Sequence, residues 1–154
     1  MKNKTTRADK AFCPKTFLLV IVIMLAACHE HTLHHSYQPV NASGWDNADT
    51  LHFNTGKFDE QPRTHQYRIG IRHKDSYPYR DIWLTVGSDT LHLHLADTEG
   101  RWLGQGFGEM RQLSLPVSLN APSDTTGRTS ITHIMQHNPL PGISDIGLYI
   151  ELTE

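Results

Sequence analysis

The chain has 154 residues, with 14 Lys and Arg against 16 Asp and Glu and a formal charge of −2 with His neutral. That length suits one domain with a real core. Two cysteines are too few for the disulfide framework of a small secreted scaffold.

The chain opens with a basic leader, Lys2, Lys4, Arg7, Lys10 and Lys15 against Asp9 alone, followed by the apolar run Phe17–Ala27. A helix crossing a bilayer takes about 20 apolar residues, so this run is too short to remain as an anchor. Basic leader, short apolar core and small residues at its end make a secretory signal peptide over residues 1–27. Leu25-Ala26-Ala27-Cys28 resembles a bacterial lipobox. The resemblance implies that the Cys28 thiol receives diacylglycerol, that the chain is cut before it, and that the new amino group is acylated. Each buried CH₂ adds about 0.8 kcal/mol, so two or three long chains hold the protein to a bilayer it does not cross. Cys13 is lost with the leader, which leaves no thiol nucleophile and no cysteine zinc site.

From residue 28 onward 9 basic side chains face 15 acidic ones, a charge of −6. An acidic exported domain has no electrostatic reason to bind nucleic acid, and lipid rather than charge fixes it to the bilayer. Residues 28–44 are polar and aperiodic. They read as a lipidated spacer ahead of a domain spanning 45–154, with Ser36–Val40 as a candidate edge strand.

Period-two alternation then dominates. Thr50–Phe53 alternates Leu51 and Phe53, and His65–His73 sets Tyr67, Ile69 and Ile71 against Gln66, Arg68, Gly70 and Arg72. Asp81–Gly87 carries Ile82, Leu84 and Val86 on one face and Trp83 and Thr85 on the other. Thr90–Asp97 points Leu91, Leu93 and Leu95 inward and His92 and His94 outward, with a short hairpin signal at Gly87-Ser88-Asp89 between the two runs. Gln112–Leu119 alternates Leu113, Leu115, Val117 and Leu119, and Pro116 on its opposite face marks an edge. Arg128–Met135 and Asp145–Leu152 complete the set. The pattern predicts an all-β chain folded as an antiparallel β-sandwich, jelly-roll or Ig-like. The long polar links around residues 54–63, 72–80 and 119–127 suit crossings between sheets better than the tight turns of a barrel.

Candidate chemistry is sparse. His29, Glu30, His31, His34 and His35 could chelate a transition ion, but in a spacer the ordering entropy opposes it. His92 and His94 share a strand face about 7 Å apart, and opposite three leucines they read as solvent face. No metal, cofactor or catalytic residue is therefore assigned. No G-x-S-x-G elbow occurs, and Asp97 with Glu99, like Asp46 with Asp49, reads as loop capping. Trp45, Trp83, Trp102, Tyr77 and Tyr79 offer an alternative, a sugar-stacking platform that would make the domain a carbohydrate-binding module. Ala96–Met110, ADTEGRWLGQGFGEM, reads as an ordered glycine-rich loop that presents Trp102, Leu103 and Phe107 as a docking surface.

Five blocks in order, the lipobox, WDNADT (Trp45–Thr50), YPYRDIWL (Tyr77–Leu84), ADTEGRWLGQGFGEM and LPGISDIGLYIE (Leu140–Glu151), resemble the gliding motility-associated lipoproteins of the GldH family of Bacteroidetes. The resemblance spans the chain after the signal peptide. It departs at Arg128, where relatives commonly carry an aromatic, and at the His133–Asn138 segment, which lacks the usual basic residue after Met. It implies a lipid-anchored envelope protein of the outer membrane. That protein would act without enzymatic activity as an interaction or scaffold subunit, with partners in the machinery of gliding and surface-protein secretion.

Overall fold

The computed structural model describes residues 32–56, 65–120 and 123–152. The expected signal peptide, Cys28 and the histidines at 29 and 31 lie outside them. Among the described residues nine strands form two antiparallel sheets: β1 (Thr32–Pro39), β2 (Leu51–Asn54), β3 (His65–Lys74), β4 (Asp81–Val86), β5 (Asp89–His94), β6 (Gln105–Phe107), β7 (Met110–Val117), β8 (Arg128–His133) and β9 (Ile143–Leu152). One sheet runs β1-β9-β3-β7-β6 and the other β2-β8-β4-β5. Only β4–β5 and β6–β7 are hairpins within a sheet; every other connection changes sheet. With the three-residue β6 set aside, this alternation is the jelly-roll arrangement rather than the Ig-like one. The three long polar links, β2–β3, β3–β4 and β7–β8, all cross between sheets, as their lengths suggest.

The alternating apolar residues meet between the sheets. Ile69, Ile71, Ile146, Leu148 and Ile150 from the five-stranded sheet face Phe53, Ile82, Leu84, Val86 and Ile131 from the four-stranded one. Each such side chain contributes about 1.5–3 kcal/mol on burial. Trp45, Tyr77, Leu95 and Leu140 add to this core from outside the strands.

The boundary of the domain needs correction. From Thr32 the expected spacer is strand β1, paired along its length with β9 from Thr32↔Glu151 to Pro39↔Asp145. It is an edge strand, as Ser36–Val40 suggested, but it starts four residues earlier. The reason is physical: its inward positions are His34, Ser36 and Gln38, so no apolar alternation betrays it. His34 meets the core edge-on at Phe53 (6.3 Å), and the Gln38 amide donates to the His52 carbonyl of the opposite sheet at 2.6 Å. On the outer face Tyr37 lies across Gly147 and Gly70, which are themselves register partners. A Cβ on Gly147 would come within 2.8 Å of the Tyr37 ring, so close approach requires glycine there. The Tyr149 hydroxyl donates to that of Tyr37 (2.9 Å), and Arg72 sits 4.1 Å above the Tyr37 ring.

Pro116 pairs with Arg68 on one side. On its other side β6 reaches only as far as Gln112, so this half of β7 is an edge and the missing N–H costs nothing.

Candidate functional site

The most exposed apolar side chain among the described residues lies in the glycine-rich segment, which holds more structure than an ordered loop. Ala96 and Trp102 form an antiparallel bridge, and the Leu103 N–H donates to the Leu95 carbonyl (2.8 Å). Between them Asp97 organises the turn. Its Oδ1 accepts from the N–H groups of Glu99 and Arg101, and its Oδ2 from Arg101 Nε, each at 2.9 Å. The Arg101 N–H leads in holding the Asp97 carboxyl below its usual range. Asp97 is therefore a capping group, as Asp46 is through the Ala48 N–H, while the Glu99 carboxylate pairs with Arg101 (3.0 Å).

The chain then turns into the β6–β7 hairpin through Gly108-Glu109. Here Gly106 passes so close to the Met110 carbonyl that any side chain would collide with it. The three predicted docking residues part company on this scaffold. Trp102 is half-buried, its ring 4.5 Å from His73 and 6.4 Å from Tyr77. It anchors the segment to the core. Leu103 is 53% and Phe107 96% exposed, and these two form the presented surface.

They border an open groove of about 950 Å³ on the outer face of the five-stranded sheet, floored by Arg68, Arg72, Gln112 and Ser114 and edged by Arg111 and Asp145. Each arginine is held. Arg68 Nε donates to Ser114 Oγ (3.1 Å), Arg72 Nε to Gln112 Oε1 (2.9 Å), and Arg111 pairs with both oxygens of Asp75 (2.9 and 3.0 Å). Three arginines against Asp75 and Asp145 leave the groove locally positive, in a chain that is acidic from residue 28 onward. The arginines were missed from sequence because period two shows which residues face outward, not which strands lie side by side.

The sugar-stacking platform does not form. Trp45 is fully buried, its indole N–H donating to the Asp49 carbonyl (2.8 Å), and Tyr77 is buried with its hydroxyl donating to the Asp81 carbonyl (2.9 Å). With Trp102 inward as well, Trp83 is the one exposed tryptophan, at 41%. The blocks that carried the family resemblance are instead one another's supports. Trp45 and Leu140 exchange backbone hydrogen bonds (2.8 and 2.7 Å), the Trp45 carbonyl accepts from His133 Nε2 (2.9 Å), and Gly142 packs against the Tyr77 backbone.

The profile of the GldH lipoprotein family matches residues 32–150. The chain is 26% identical over 162 residues to a gliding motility lipoprotein GldH homolog of Christiangramia forsetii, covering 94% of this chain and 98% of that protein. It is 22% identical over 150 residues to the gliding motility lipoprotein GldH of Flavobacterium johnsoniae, covering 87% and 93% respectively. No solved structure matches.

Proposed function

This chain belongs to the GldH lipoprotein family, and from that premise we propose that it is a lipid-anchored, non-enzymatic interaction subunit of the outer membrane, serving gliding motility and the linked secretion of surface proteins. Acyl chains on Cys28 hold it at the bilayer, and the short span from Cys28 to Thr32 keeps the sandwich close to that surface. Docking runs through the tip of the β6–β7 hairpin. Phe107 and Leu103 supply apolar anchors, and the arginine-floored groove beside them suits a partner segment that carries carboxylates.

The observation that carries this reading is the 96% exposure of Phe107 on a hairpin whose entry is positioned by the Trp102–His73 contact and the Asp97 turn. Phe107 and Leu103 border one groove among polar side chains, and an apolar patch with a polar rim marks an interaction site where a lone exposed side chain does not. Affinity purification from detergent-solubilised envelopes tests the reading. The Leu103→Asp/Phe107→Asp chain is expected to melt like wild type, stay in the membrane fraction and lose its co-purifying envelope proteins. An unchanged set of partners rejects the hairpin as the docking surface.

A further inference from the structure

The outward face of the β4–β5 hairpin brings together three donors, Asp81 from β4 and His92 and His94 from β5. The two-residue turn Gly87-Ser88, with Gly87 at φ 58°, fixes the register: Val86 faces Asp89, Trp83 faces His92 and Asp81 faces His94. Period-two alternation then puts Asp81, Trp83, His92 and His94 on one face. One ligand atom from each of Asp81, His92 and His94 lies within 4.8 Å of the others. His92 Nε2 is 2.5 Å from Asp81 Oδ2, and the His92 and His94 rings meet edge-on at 4.6 Å. Trp83 stacks flat on His92, 4.1 Å away with planes 8° apart, and so fixes the imidazole that faces the carboxylate.

We propose that Asp81, His92 and His94 bind a divalent late first-row transition cation such as Zn²⁺. Such ions sit about 2.0–2.2 Å from nitrogen and oxygen ligands, so three donors on one ion stand roughly 3–3.5 Å apart. Side-chain rotation can close that gap, since Asp81 is partly exposed and both imidazoles are exposed. Two imidazoles and one carboxylate select Zn²⁺, Ni²⁺ or Cu²⁺ over Mg²⁺ and Ca²⁺, which prefer oxygen alone. The set leaves coordination positions open. A cleft of about 390 Å³ shares Asp81 and Trp83 with the site and adds Met135 and His137, which leaves room there for water or a further ligand.

Calorimetric titration of the full-length lipidated protein in detergent, stripped with chelator and then given ZnCl₂, tests the site. One zinc is expected to bind per chain, with MgCl₂ giving no heat. His92→Asn/His94→Asn is expected to weaken that binding by more than about tenfold, since loss of even an outer-shell partner weakens metal sites 10–100-fold. CuCl₂ is expected to quench tryptophan fluorescence in the unaltered protein and much less in Trp83→Phe. That readout stands even if the double variant folds poorly. The proposal is overturned if the protein takes up no zinc, if uptake survives His92→Asn/His94→Asn but is lost in His29→Gln/His31→Gln, or if copper quenches both proteins alike.

Discussion

The Trp102 ring lies edge-on against His73, centroids 4.5 Å apart, and helps close the core over an imidazole whose Nε2 has no hydrogen-bond partner. His73 Nδ1 donates to the Lys74 carbonyl (3.0 Å), and its second nitrogen is buried away from water, which favours the neutral ring. His133 repeats the arrangement with its nitrogens exchanged: Nε2 donates to the Trp45 carbonyl and Nδ1 has no partner.

Burial lowers the pKa of both histidines below 6.5. Above pH 6.5 neither the folded nor the unfolded chain is protonated there, and stability is independent of these groups. Below it the unfolded chain takes up protons that the folded chain refuses. Stability then falls with pH, by up to about 1.4 kcal/mol per pH unit for each histidine, until the folded pKa is reached. The capping carboxylates Asp46, Asp97 and Asp124, held low first by the Ala48 N–H, the Arg101 N–H and the Thr126 hydroxyl, contribute stability that is lost only below their usual range near 3.8. Urea midpoints are therefore expected to decline between pH 6.5 and 5; a flat profile over that window contradicts the sealed imidazoles.

Trp102 and Phe107 separate stability from docking. Trp102→Ala removes a half-buried anchor and is expected to cost about 2–3 kcal/mol, somewhat under the value for a fully buried tryptophan. Phe107→Ser touches nothing in the core and is expected to shift stability by less than about 0.5 kcal/mol. Thermal melts of the two variants check both numbers.

Gly147→Ala places a methyl group within 2.8 Å of the Tyr37 ring, and the backbone of a central strand cannot retreat. Overpacking of this kind costs about 1–3 kcal/mol, and the edge strand is the element free to give. Hydrogen exchange is expected to speed up across Thr32–Pro39 while β3 and β7 keep their protection.

Cys28→Ser removes the proposed acyl acceptor. The protein is expected to move from the membrane to the soluble fraction, with the signal peptide uncut or cut elsewhere, and mass spectrometry of the wild-type amino terminus is expected to show an acylated Cys28.

The sandwich was legible because its inner positions are almost purely apolar, from Ile69 and Ile71 through Ile82, Leu84 and Val86 to Ile131. Strand β1 was not, because His34, Ser36 and Gln38 occupy its inward side and its partner β9 lies more than a hundred residues away. Asp81 was missed as a neighbour of His94, although counting outward from the Gly87-Ser88 turn pairs the two. Trp102 and Phe107 look alike in sequence as aromatics among glycines. What separates them is the Ala96–Trp102 bridge, which turns one toward His73 while the hairpin carries the other into solvent.

A photo-reactive phenylalanine analogue at position 107, activated in intact cells, tests the docking surface most directly. The account predicts crosslinks to a defined envelope protein from position 107 and none from the exposed Ser88 on the β4–β5 turn. Equal labelling from both positions, or none from 107, contradicts it.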